Sequence, residues 1–184
     1  MRDARVHNIR EIHAGRVFKL FQEELTLPNG FTTSLELIRH PGAAALVAFP
    51  EEHAVLLLRQ YRHAVGGYIW EIPAGTLSPG EAPLECARRE LVEETGYMAS
   101  ELLPLGQMVP VPGYSDERIH IFLARGLTPA PQRLDQDEVL EVHRLPLSQV
   151  MEMVRTGQIQ DGKTIVGLTL ASMAAGHGLS PSQV

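Results

Sequence analysis

The stretch from Gly75 to Tyr97, GTLSPGEAPLECARRELVEETGY, leaves little freedom in what it can fold into. Pro79-Gly80 is a turn signal, and Pro83 suits the first turn of a helix because its missing N–H has no partner there anyway. Leu84, Ala87 and Leu91 recur at helical spacing and form one apolar stripe. Gly96 stands where a helix ends in the left-handed region. The spacing therefore predicts loop, helix and turn, with the helix running to about Glu94 or Thr95. Four acids, Glu81, Glu90, Glu93 and Glu94, lie off the stripe. Glu90 and Glu94 are four apart and share a helix face. Carboxylates so placed suit a hard divalent cation, which prefers oxygen ligands. Glu93 lies within a turn of them, and Glu81 completes the set from the loop. Crowded acids repel one another unless a cation offsets the charge. The plainer alternative is a solvated face with ion pairs along the helix. Taken alone, Arg89 with Glu90, Glu93 and Glu94 on one helix favours that plainer reading.

Turn signals punctuate the rest of the chain. Residues 1–15 are polar and expected to be partly loose. Val17–Leu25 and Phe31–Ile38 read as two strands of a hairpin around Pro28-Asn29-Gly30. Ala43–Phe49 and Ala54–Arg59 are apolar runs suited to buried strands. Tyr68–Ile72 is a short strand closed by Pro73-Ala74-Gly75. Further strands are expected near Leu103–Val111, Arg118–Ala124 and Val139–Arg144. Helices are expected over Leu147–Thr156 and Lys163–Ala175, before a turn-rich tail, GHGLSPSQV, that should fray. This pattern predicts an α/β fold with a mixed sheet between helices. Residues 1–42 form an N-terminal β unit, and 43–184 form the main domain.

Composition narrows the function. The net charge of −6 opposes a nucleic-acid partner, which needs a basic field. There is no run of 18 apolar residues, the length of a membrane span, and no secretory signal is expected at the N-terminus. The single cysteine, Cys86, suits a reducing compartment, so a cytoplasmic protein is expected. Its place in the apolar part of the helix favours packing over nucleophilic use. None of the 8 histidines has the spacing of a zinc site.

The order Gly, Glu, Arg-Glu-Leu-Val-Glu-Glu-Thr-Gly from Gly75 to Gly96 resembles the Nudix box. Tyr97 departs from the aliphatic residue usual at that position. The flanks RQYRHAVGGYIWEIPAGTLSPGE and VPVPGYSDERIHIFLARGL resemble the ADP-ribose pyrophosphatase branch of the family. So do Ala74 in Pro73-Ala74-Gly75, where nucleoside triphosphatases carry Gly, and Pro112 beyond the box. The resemblance implies a Nudix-type α/β/α sandwich preceded by an N-terminal β-hairpin unit. It implies Mg²⁺-dependent hydrolysis of ADP-ribose to AMP and ribose 5-phosphate, with Mn²⁺ as an alternative ion. Another nucleoside diphosphate sugar, such as GDP-mannose, is the second reading. A nucleotide sensor is a remote third, because sensors typically lose the metal glutamates.

The resemblance also implies individual roles. Glu81, Glu90, Glu94 and the Ala74 carbonyl would hold metal, and Arg89 would orient the glutamates. Arg59 and Arg62 would contact substrate phosphates, against the plain reading of surface charge. Glu71 matches a glutamate that meets the nucleoside end or helps hold metal, and Glu117 one near the terminal ribose. Trp70, the only tryptophan, is a candidate for stacking on adenine and equally for the core. The general base would come from the loop 134–138, as Asp137 or Glu138 with Glu141 close behind, or from Glu93 within the box. In this branch the N-terminal β unit crosses to a second subunit. A homodimer is therefore expected, with Phe18, Phe21 and Phe31 as contacts.

Overall fold

The computed structural model describes residues 3–176, with side chains as far as Ala174. The tail from His177 onward lies outside the described residues. The chain divides into two compact units, Met1–Gly42 with Val109–Arg118, and Ala43–Met108 with Ile119–Val184.

The first unit is an antiparallel sheet in the order β1-β2-β3, made by β1 (Arg5–Ala14), β2 (Lys19–Thr26) and β3 (Thr32–Arg39). The β2–β3 hairpin closes where the turn signal stands. The Asn29 side chain accepts from the Phe31 N–H at 3.0 Å, and Leu27 and Phe31 close the loop through the backbone. β1 departs from the expectation that residues 1–15 are partly loose. Its apolar residues Val6, Ile9 and Ile12 recur every third position, not every second. The pairing with β2 explains this: it slips between Val6 and Asn8 and again between Glu11 and His13. Such bulges add a residue and destroy the alternation by which strands are recognised. Segment 109–118 docks on β3, where Ile38 pairs with Ser115. Arg39 bridges Glu23 and Asp116, and the His40 N–H donates to Asp116 at 2.9 Å.

The second unit is the expected α/β/α arrangement. β4 (Ala43–Ala48) is its spine, parallel to β9 (Ile119–Pro129) and antiparallel to β7 (Ala74–Thr76) in the order β7-β4-β9-β8. β8 (Tyr97–Met108) begins six residues before the expected Leu103, directly after the helix-ending Gly96. A second antiparallel sheet runs β10-β5-β6, from β5 (Ala54–Arg62), β6 (Gly67–Glu71) and β10 (Leu140–Pro146). α1 (Pro83–Thr95) matches the expected helix, and α2 (Leu147–Arg155) and α3 (Gly162–Gly176) begin where helices are expected.

Alternation along β4 sorts the core into two layers, because successive side chains point to opposite faces. Ala44, Leu46 and Ala48 pack with Cys86, Ala87 and Leu91 of α1. Ala43, Ala45 and Val47 pack with Val150 and Met153 of α2 and Leu168 and Ala171 of α3. All six residues of β4 are buried, so the strand that carries β7 is fixed from both sides. Among the described residues, no helix is long and apolar enough to cross a membrane.

Candidate active site

β4 holds β7, and β7 meets α1 through two buried carboxylates. Glu94, 1% exposed, accepts the Ala74 N–H at 2.8 Å. Glu90 lies against Gly75, where an added Cβ would fall 1.8 Å from its Oε1. Only glycine leaves room for that carboxylate, which accounts for the first glycine of the motif. At the other end of α1, Gly96 takes φ 70° and closes the helix through its N–H to Val92. Beyond β9, the Ala130 N–H donates to Gly96 O at 2.8 Å, Gln132 Nε2 to Glu94 O at 2.5 Å, and the Arg133 N–H to Glu93 O at 3.0 Å. The end of α1 thus anchors the segment leading into the 134–138 loop.

Arg89 binds the remaining acids. Its guanidinium grips Glu81 with two bonds of 2.9 Å and donates to Glu90 at 2.6 Å and Glu93 at 3.0 Å. Such forked, charge-assisted bonds fix carboxylates in position. The pairing with Arg89 draws the Glu81 carboxyl down to about 2. Glu90 and Glu94 go the other way. Burial raises Glu90, with Arg89 opposing. Burial raises Glu94 well above the ordinary value, and the neighbouring Glu90 adds to it. Glu138 raises both as well, so the 134–138 loop brings its charge within reach of the box. Glu138 itself accepts the Asp135 N–H at 3.0 Å.

Among the described residues, no three His, Cys, Asp or Glu side chains form a ready-made metal cluster. The donor chemistry nevertheless fits a divalent cation. The groups are all carboxylate oxygen, Glu81, Glu90 and Glu93 share one arginine, and burial opposes ionisation of Glu90 and Glu94.

The expected substrate residues fall into separate places. Arg62 and Glu71 meet: Arg62 Nε donates to Glu71 Oε2 at 2.8 Å. Arg59 pairs across the sheet with Trp70 and Glu141, on the opposite face from Arg62, and lies over the Tyr68 ring at 5.5 Å. Trp70 packs on the core and meets His143 edge-on at 4.9 Å. Glu117 belongs to the other unit, 3.6 Å from the His40 ring. Asp137 stands in the loop beside Glu138. Sequence reading missed Lys163 of α3, which contacts Glu71 at 2.7 Å. No local pattern marks it, because 92 residues separate the two. Cys86 is buried and its thiol is pushed up to about 12, chiefly by burial, consistent with packing.

A buried carboxylate pair, a glycine cut to fit one of them and an arginine binding the rest define a class. The chain belongs to the NUDIX domain family, which matches residues 38–166, and it is an enzyme of the Nudix hydrolase type. It is similar to the methanol dehydrogenase activator of Bacillus methanolicus, at 39% identity over 86% of both chains. It is similar to the ADP-ribose pyrophosphatase of Bacillus subtilis, at 38% identity over 84% of both. A crystal structure of an ADP compounds hydrolase superposes with a TM-score of 0.84 at 25% identity, covering 97% of both chains.

Proposed function

We propose that this protein hydrolyses the diphosphate linkage of ADP-ribose, releasing AMP and ribose 5-phosphate, with Mg²⁺ as cofactor and Mn²⁺ as a substitute. The observation that carries this reading is the buried Glu90–Glu94 pair, fitted to Gly75 and Ala74 on β7. Glu90, Glu94, Glu81 and the Ala74 carbonyl are the assigned ligands. A bound divalent cation would offset phosphate charge and acidify water. Arg89 keeps the acids apart and aligned. Arg62 binds phosphate; Arg59 and Trp70 face the other side of their sheet, with Trp70 packed on the core, so the phosphate role expected of both arginines falls to Arg62. Glu138 takes the proton from the attacking water, with Glu93 tied to Arg89 and Asp137 as the lesser candidate. The similarity to an ADP-ribose pyrophosphatase supports the choice of substrate.

The exposed apolar residues Val6, Ile9, Ile12, Phe18 and Phe31 support the N-terminal sheet as a homodimer surface. The lone buried Cys86 fits a cytoplasmic setting.

The deciding experiment measures phosphate-coupled turnover of ADP-ribose, GDP-mannose, UDP-glucose, NADH, coenzyme A and a nucleoside triphosphate, with Mg²⁺ and with chelator. Metal-dependent preference for ADP-ribose, yielding AMP, is expected. Preference for another compound keeps the metal site and overturns the substrate. Tight nucleotide binding without turnover makes the protein a sensor. Glu138→Gln is expected to lower kcat roughly 100-fold or more, the scale of general base catalysis, without weakening Mg²⁺ binding. An unchanged rate moves the base elsewhere.

A further inference from the structure

We propose that Lys163 is a positioning residue for Arg62, acting through Glu71, so that β5 presents a fixed guanidinium fork to the substrate diphosphate. The proposal rests on the functional reading above, in which Arg62 binds phosphate.

Glu71 is 3% exposed, and both its oxygens are engaged. Arg62 Nε donates to one at 2.8 Å and Lys163 Nζ to the other at 2.7 Å. A carboxylate held on both sides by cations is poorly placed to serve as a metal ligand or to receive the nucleoside. Its evident work is to hold two cations in fixed directions. Lys163 is itself secured. Its ammonium lies 3.1 Å from Asp161 Oδ2 and is 12% exposed. Asp161 also accepts from the Thr164 N–H at 3.0 Å and from the Thr164 hydroxyl at 2.6 Å. That hydroxyl, fully buried, accepts the Ile72 N–H at 2.8 Å. The first turn of α3 is therefore fastened to β6 beside Glu71.

Within this cluster two positive and two negative groups balance, so the network needs no ligand to neutralise it. What it leaves available is direction. Arg62 spends only Nε on Glu71, and its terminal nitrogens have no hydrogen bond to protein among the described residues. Its side chain is 41% exposed. A free, planar pair of N–H groups matches a phosphate in a way a lysine ammonium does not. Its charge is also felt at Glu94, so the fork stands near the box carboxylates. A long side chain at a strand end would otherwise sample many rotamers, and holding it in place removes that entropy cost from substrate binding.

The test is a double-mutant cycle, which separates action through Arg62 from a general structural role. Turnover of ADP-ribose with Mg²⁺ and equilibrium binding of ADP-ribose in chelator are both read. Lys163→Met is expected to lower kcat/KM roughly ten- to a hundredfold, the scale of a charge-assisted hydrogen bond, with the larger share in KM. Binding in chelator weakens in parallel, and Lys163→Arg recovers most of the loss. In an Arg62→Ala background, Lys163→Met has no further effect on either quantity. Unchanged KM in the single variant, or losses that add in the double variant, overturn the proposal. If Lys163→Met does not fold, Lys163→Gln, which keeps a donor, takes its place in the cycle, and the same two outcomes overturn the proposal. Wild-type protein that cleaves none of the diphosphate compounds overturns the functional reading, and this proposal with it. Wild-type turnover with additive losses overturns this proposal alone.

Discussion

β4 and β1 are both strands, yet one is buried at every residue and the other exposed at every residue. β4 is six residues of alanine, leucine and valine held between two helical layers. β1 is ten residues of mixed polarity, paired along one edge to β2. Burial makes β4 a platform whose position is set by the packing on both its faces. From it β7 hangs, and from β7 the two buried carboxylates take their places. β1 draws its order from backbone pairing and leaves its side chains exposed. Packing on both faces thus fixes one strand, and backbone pairing along one edge orders the other.

The contrast can be broken most severely at Leu46, fully buried in the middle of β4. Leu46→Ala is expected to cost about 2–5 kcal/mol of stability, read from urea melts. A loss under about 1 kcal/mol would mean the platform is softer than its burial implies. Next comes Gly75→Ala. The added methyl must displace the Glu90 carboxylate, and a shift of that size costs roughly a hundredfold in turnover. Circular dichroism should stay native, and near-normal kcat would show that Glu90 has another place to go.

A smaller effect separates the regions by pH. Burial raises the Glu94 carboxyl above its ordinary 4.5. Between that value and the raised one, the folded protein holds a proton that the unfolded chain has released. Stability must therefore fall as pH climbs through this window. In chelator, the melting temperature should drop from mildly acidic to neutral pH, and Glu94→Gln should flatten much of that slope while abolishing turnover. A slope unchanged by the substitution would place the proton elsewhere. Smallest is Ile9→Lys on β1. It should alter the stability of dilute protein by no more than about 0.5 kcal/mol. On the proposed homodimer surface it should nevertheless disrupt self-association in sedimentation, and an undisturbed dimer would move the interface off this sheet.

What the sequence makes legible follows the same divide. α1 is readable because proline and glycine mark its ends and an apolar stripe marks its face, all within one short segment. The box acids are readable because their partner Arg89 lies on the same helix. β1 is hidden by two bulges that turn a period of two into a period of three. β7 is hidden because three residues carry no pattern. Lys163 is hidden by distance along the chain, and the opposite facing of Arg59 and Arg62 emerges only from strand register. Local rules reveal what a segment becomes. They do not reveal what it will meet.

Cys86 turns the tightness of this junction into something observable. Its thiol faces the Gly75 carbonyl at 3.5 Å, sealed beneath α1, and burial holds its proton to about 12. A reagent that attacks thiolate has no target while the helix is seated. It gains one only in the moments when α1 lifts from β7. The chain carries one sulfhydryl, so its alkylation rate is a clock for the opening of the hydrolytic centre, kept by the protein without any added label.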